Sequence, residues 1–167
     1  MSACLLGVNC RWDGENRYNS ALNADTWEWL AVQRVSTRKI DGDEMVICVP
    51  VCPEQLGGLT TPREPAEIQG GDGDDVLAGR ARAITKSGLV VADNFIRGAQ
   101  EVLKIARLCG ADAFIGKWRS PSCSTNFGVP DGSFSDKLRP GLGVCAALLK
   151  QNHIKLNVLY GGGEHRL

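Results

Sequence analysis

Three of the seven cysteines in this 167-residue chain share a setting. Cys4, Cys52 and Cys123 each follow a short apolar run of strand-like composition and are bordered by turn residues. In open α/β sheets the loops beyond the carboxyl ends of the strands face a common crevice, so three such thiols can meet only through the fold. Three thiolates leave a position open on a metal, and soft sulfur ligands select zinc, copper(I) or an iron-sulfur cluster. The plain alternative is ordinary burial, because unpaired cysteine is among the most buried residue types. Spacing leaves both readings open for these three, and burial is the favoured reading for Cys10, Cys48, Cys109 and Cys145. No Cys-X-X-Cys pair occurs, which disfavours zinc ribbons, thioredoxin-like pairs and ferredoxin-type runs.

Polar residues beside these thiols supply the rest of a possible site. Glu54, two residues past Cys52, is a solvated loop carboxylate or an acid/base that activates water. Ser120 either caps the turn begun by Pro121 or holds a substrate carbonyl or the attacking water. Arg63 and Lys117 are candidates for hydrogen bonds to a substrate, or else a surface fork and a strand-end charge.

Composition narrows the partner. Nineteen Lys+Arg against nineteen Asp+Glu leave no net charge, so the basic footprint of non-specific nucleic-acid binding is missing and a small neutral partner fits better. The opening Met-Ser-Ala-Cys-Leu-Leu-Gly is too short an apolar run for a signal peptide, and no window reads as a membrane span. A cytoplasmic protein is expected, with its cysteines reduced and not a disulfide framework. The length suits one domain over residues 1–167 with a proper core. Oligomeric state is not set by these features.

The elements that must position the thiols alternate strand and helix. Met45 to Val51 reads as a buried strand stopped by Pro53, Gly57 and Gly58, and Ala111 to Trp118 as the strand that delivers Ser120 and Cys123. Asn23 to Val35 has helical spacing, with Trp27 and Trp29 as core and rim, and Ser36 to Glu44 reads as a surface loop. Gly70 to Asp75 reads as a solvated tip, with no glutamate at the twelfth position that a calcium loop needs. Arg80 to Thr85 and Leu89 to Val91 suggest a hairpin. A helix capped by Asp93 and closed by Gly110, a second from Gly141 to Lys150, a last strand from Lys155 to Tyr160 and a tail from Gly161 complete the chain. The expected fold is an α/β single domain, a mostly parallel sheet flanked by helices with Rossmann-like layering.

Several motifs carry a resemblance over nearly the whole chain. They are Ser2-Ala3-Cys4-Leu5-Leu6-Gly7 with Cys10-Arg11-Trp12-Asp13-Gly14, Pro50-Val51-Cys52-Pro53-Glu54, Leu56-Gly57-Gly58, Thr61-Pro62-Arg63, and Ser120-Pro121-Ser122-Cys123. Phe95-Ile96-Arg97-Gly98-Ala99, Asp131-Gly132-Ser133-Phe134 and Gly141-Leu142-Gly143-Val144 extend it. Together they resemble the thiouracil desulfurase (desulfidase) family. The resemblance implies a cytosolic enzyme with a 4Fe-4S cluster held by Cys4, Cys52 and Cys123, and Glu54 and Ser120 at the catalytic positions. The implied reaction removes sulfur from a thiolated nucleobase, 2-thiouracil or 4-thiouracil, without net redox chemistry. Rival readings are action on a thiolated base in tRNA, or a non-enzymatic module that binds sulfide, persulfide or zinc through the same thiols. The chain departs from the family pattern at Trp12, where tyrosine is usual, and at Ser124, where glycine is usual and the extra side chain is expected to narrow the site. Fewer residues than usual precede Cys4.

Overall fold

The computed structural model describes residues 1–18, 38–40, 43–45, 47–125 and 128–159. In chain order the elements are β1 (Arg38–Ile40), β2 (Asp43–Met45), α1 (Pro53–Leu56), β3 (Ala66–Gln69), α2 (Gly73–Leu77), β4 (Arg82–Thr85), α3 (Ala92–Cys109), β5 (Ala113–Lys117), β6 (Val129–Pro130), β7 (Leu138–Arg139), α4 (Val144–Gln151) and β8 (Lys155–Leu159). The architecture is mixed α/β with small sheets. β5 and β8 pair in parallel, whereas β1 with β2, β3 with β4 and β6 with β7 are antiparallel. The expected mostly parallel sheet is reduced to the β5–β8 pair at the centre, and Rossmann-like layering is not shown by these small sheets.

That centre includes the first three residues. Ala3 N donates to Val51 O at 2.9 Å, Val51 N to Met1 O at 3.0 Å, and Ser2 N to Ile115 O at 2.9 Å. Residues 1–3 thus thread between Val51 and β5, with a parallel bridge from Ser2 to Val51. The predicted strand from Met45 to Val51 is not continuous: β2 ends at Met45, residues 47–50 have no regular structure, and only Val51 pairs.

The main core gathers Ile68, Val76, Phe95, Ala99, Val102, Val144 and Leu149 from β3 and the three longer helices. The eighteen-residue α3 supplies most of it, turning Phe95, Gly98, Ala99, Val102, Leu103 and Ala106 inward at helical spacing and ending on Gly110 in the left-handed region. Phe95, 1% exposed, contributes roughly 1.5–3 kcal/mol by burial. A second, smaller cluster consists of Met1, Ala3, Cys4, Leu5, Cys10 and Ile115, so two cysteines are part of the packing.

Other expectations are corrected by local chemistry. Ser36 to Glu44 is not simply a loop, since β1 and β2 form an antiparallel pair within it. The Gly70 to Asp75 stretch opens α2 instead of forming a solvated tip. Asp72 accepts from Asp74 N at 3.0 Å and Asp75 N at 3.2 Å, and Asp75 returns a carboxylate to Asp72 N, a capping box. The predicted hairpin is present in short form, since Leu89 to Val91 meets β4 through the Ile84–Val90 bridge with Thr85 N to Leu89 O and Val91 N to Ala83 O each at 2.9 Å, but β4 pairs along its length with β3. Val91, not Asp93, caps α3, and α4 begins at Val144. Cys109 is exposed instead of buried. The predicted helix over 23–35, with Trp27 and Trp29, and the tail from 161 lie outside the described residues. Among the described residues, no helix is long and apolar enough to cross a membrane.

Candidate functional site

Cys52 stands at the start of α1 because Pro53 follows it. Proline is pre-set for the first helical position and forces the residue before it into extended backbone, and Cys52 has φ −118° and ψ 104°. Glu54 is then carried in the first turn, on the same rigid piece. Helix α3 clamps that piece. Asn94 Nδ2 and Arg97 Nε donate to Gly57 O at 2.9 and 3.0 Å, and Gly98 lets Pro53 O approach so closely that a Cβ there would meet it at 1.8 Å. The Phe95-Ile96-Arg97-Gly98-Ala99 motif is thus a clamp for the Cys52–Glu54 turn.

Cys123 is held by two glycines and a helix. After β5 the chain turns through Ser120 to Cys123, packed so tightly that a Cβ on Gly116 would lie 2.0 Å from Cys123 O and one on Gly143 2.5 Å from Ser122 C. The first N–H groups of α4 donate back to this turn: Val144 N to Pro121 O and Cys145 N to Ser122 O, each at 2.9 Å. Ser124 Oγ donates to Gly128 O at 2.9 Å and is not among the residues lining the cavity, so it does not narrow the site in the way expected.

Cys4 sits in a 3-10 turn, Ala3–Leu6, closed by Gly7 at φ 92°. The fold brings Cys4, Cys52 and Cys123 to one cavity of about 830 Å³, together with Glu54, Arg63, Lys117 and Ser120. All seven predicted site residues therefore line it. None of the seven cysteines is in a disulfide.

Two residues at this site had no assigned role. Cys10, read as merely buried, offers its backbone oxygen to Cys52 Sγ, which donates to it at 3.6 Å, and its thiol neighbours those of Cys4 and Cys52. That neighbouring thiol holds Cys4 and Cys52 below their ordinary range, Cys52 to about 7, against burial, which pushes them up. The same two neighbours, with burial, push Cys10 itself far up. Burial drives Cys123 up to about 12, opposed by the hydroxyls of Ser2 and Ser122. The second is Ser122, whose Oγ donates to Glu54 Oε1 at 2.8 Å. Both lie inside recognised motifs, but nothing in those motifs separates a packing residue from a contacting one.

Arg63 is fully engaged. Its Nε donates to Glu54 Oε2 at 2.8 Å, its Nη2 forms a second bond to the same oxygen, and both Nη atoms reach Cys10 O at 3.2 Å. It joins the loop of Cys10 to the carboxylate of Glu54. Ser120 Oγ accepts from Cys123 N at 3.0 Å and Ser122 N at 3.3 Å, which caps the turn. Lys117 Nζ donates to Trp118 O at 2.8 Å, and burial lowers its pKa. Hairpin β6–β7 forms another wall through Pro130 and Leu138. It is moored by Glu67, whose Oε2 accepts Gly132 N at 3.0 Å and Phe134 N at 2.9 Å.

The protein is thus a mixed α/β fold with three thiols, a carboxylate and two serines on one cavity. The family model described as 2-thiouracil desulfurase matches residues 1–159, and the chain belongs to that family. It is 40% identical over 151 residues to YbbK of Bacillus subtilis (strain 168), an uncharacterized protein, covering 90% of this chain and 88% of YbbK. A solved structure, the 4Fe-4S-dependent thiouracil desulfidase TudS, is similar with a TM-score of 0.69 at 31% identity, covering 94% of this chain and 87% of that one.

Proposed function

We propose that the chain is a 4Fe-4S-dependent thiouracil desulfidase, a cytoplasmic enzyme that converts 2-thiouracil or 4-thiouracil and water into uracil and hydrogen sulfide. The observation that carries this reading is the convergence of Cys4, Cys52 and Cys123 with Glu54 and Ser120 on one cavity. Three soft thiolates on one cavity, none of them in a disulfide, suit an iron-sulfur cluster with one iron left open. The similarity to the 4Fe-4S-dependent TudS favours a cluster over a single zinc ion.

Bound by the three thiolates, the cluster would supply a Lewis-acidic iron with an open position for the soft thione sulfur. The remaining chemistry belongs to the chain. Glu54, fixed by Arg63 on one oxygen, takes a proton from the water that attacks the thiolated ring carbon. Ser120 already accepts two backbone N–H groups, which engages both lone pairs of its hydroxyl. It therefore acts toward substrate as a donor, suited to a ring carbonyl oxygen and not to holding the water as a base. Lys117 and Arg63 line the cavity; Lys117 orients the base, and Arg63, whose N–H groups are taken by Glu54, Cys10 O and the Thr60–Thr61 turn, acts on it through Glu54. The water oxygen stays on the ring and the sulfur leaves as sulfide, so no electron donor is needed.

Anaerobic purification followed by assay tests the reading. A brown protein with iron and labile sulfide in equal amounts, turning over 2-thiouracil or 4-thiouracil to uracil, supports it. A colourless zinc protein without turnover supports the binding module, and turnover confined to thiolated tRNA supports the tRNA reading. If Cys52→Ala keeps both the cluster and the activity, the assignment of ligands is wrong.

A further inference from the structure

The turn that carries Cys123 contains two buried serines, and the one in contact with Glu54 is Ser122, not Ser120. Ser122 Oγ has two acceptors in reach, Glu54 Oε1 at 2.8 Å and Cys123 Sγ at 3.6 Å. The carboxylate is closer and the stronger acceptor, so the Ser122 proton points to Glu54. Ser120 Oγ is the next atom along, 3.2 Å from Ser122 Oγ. Because both Ser120 lone pairs receive backbone N–H groups, only its proton is left to share, and Ser122 Oγ is the oxygen positioned to accept it. The chain of hydrogen bonds therefore runs one way, from Ser120 through Ser122 to Glu54. Its far end is anchored, since Arg63 grips the other oxygen of Glu54.

We propose that Ser122 is a positioning residue that couples Glu54 to Ser120, so that the two act on substrate as one unit. The inference rests on the desulfidase reading and assigns it a residue beyond Glu54 and Ser120. Without a substrate, Ser122 holds the Ser120 proton inward. When a ring carbonyl arrives, the Ser120 hydroxyl turns out to it while Ser122 keeps Glu54 Oε1 in place. A Ser122 side chain without its hydroxyl leaves Glu54 fixed on one oxygen only, and leaves Ser120 without a resting acceptor.

The test is a double-mutant cycle of S122A and E54Q, with S122T as the conservative variant, measured as kcat and KM for thiouracil per bound cluster. S122A should lower kcat about 10–100-fold with KM within about twofold, and S122T should recover most of the loss. The S122A/E54Q protein should be no slower than E54Q alone, because a residue that acts through Glu54 has nothing to act on once Glu54 is changed. Losses that multiply, or S122A at the wild-type kcat, overturn the proposal. The same cycle is read in denaturant midpoints of the metal-free proteins: coupling between the two sites supports the hydrogen-bonded unit, and strict additivity overturns it. If loaded wild-type protein turns over no thiouracil, the desulfidase reading fails, and the midpoint cycle still decides whether Ser122 and Glu54 are coupled.

Discussion

The carbonyl oxygen of Pro53 occupies the space that a β-carbon on Gly98 would need, 1.8 Å from where that carbon would stand. Helix α3 and the short α1 are therefore in backbone contact, and the position of Cys52 and Glu54 depends on that contact. Gly98→Ala cannot be absorbed by rotating a side chain, because the atom it meets is main chain. The expected cost is about 1–3 kcal/mol from overpacking, seen as a lower denaturant midpoint with an unchanged slope. Since α1 must shift, iron content after anaerobic reconstitution should fall as well. A midpoint and iron content equal to wild type would show that α1 is not held this way.

The contact also explains what sequence reading reached and what it missed. Pro53 after Cys52, and Pro121 before Cys123, announce turns through backbone chemistry that is local, so those thiols could be placed beyond regular elements from sequence alone. Gly110 ending α3 was legible for the same reason. Glycine is unfavourable inside a helix, and the reason for Gly98 lies forty-five positions away in Pro53, which no local rule reaches. The capping box of Asp72 and Asp75 was hidden by its glycines, which suggested a loop. Cys10 and Ser122 were missed because their roles are contacts with Cys52 and Glu54, and those contacts exist only once the chain has folded.

Ser124 offers a variant whose effect should fall on stability and leave chemistry alone. Its side chain is buried and donates to Gly128 O at 2.9 Å, away from the cavity lining. Ser124→Ala leaves that buried carbonyl without its partner and is expected to cost about 1–3 kcal/mol. The measurement is a denaturant midpoint beside kcat per bound cluster. A lowered midpoint with kcat within about threefold of wild type is expected. A large gain in kcat would mean that Ser124 obstructs the site after all.

Arg63 and Glu54 form an ion pair with side chains 8% and 15% exposed, so removing one partner leaves a charge that water does not reach well. Arg63→Met is expected to destabilise by about 3–5 kcal/mol, the range for breaking a buried pair from one side. It also releases Cys10 O, so the loop that carries the Cys10 thiol should loosen. Arg63→Lys keeps the charge but not the planar fork that serves Glu54 and Cys10 O together, and should recover only part of the loss. Denaturant midpoints of the three proteins check the order wild type, then R63K, then R63M. Equal midpoints for R63K and wild type would show that the charge alone matters.

Acid should weaken the fold through carboxylates far from the thiols. Glu64 is held below its usual range chiefly by the hydroxyl of Ser87, then that of Thr85. Asp75 is held down chiefly by Arg80 and then by Asp72 N, and Asp131 chiefly by Ser133. For each group the folded-state pKa is below the unfolded one, near 4.3 for Glu and about 3.9 for Asp. The unfolded chain therefore binds the proton first as pH falls, and each group's contribution is complete above its unfolded pKa and disappears on the way down through its folded pKa. These three groups should thus make Tm fall below about pH 4.5. The triple variant Glu64→Gln, Asp75→Asn, Asp131→Asn should start lower at neutral pH and lose less on acidification, so the two curves approach one another. Asp75→Asn should give the largest single effect, because this carboxylate serves both the Arg80 pair and the cap of α2. Parallel curves for wild type and the triple variant would place the acid sensitivity in other groups.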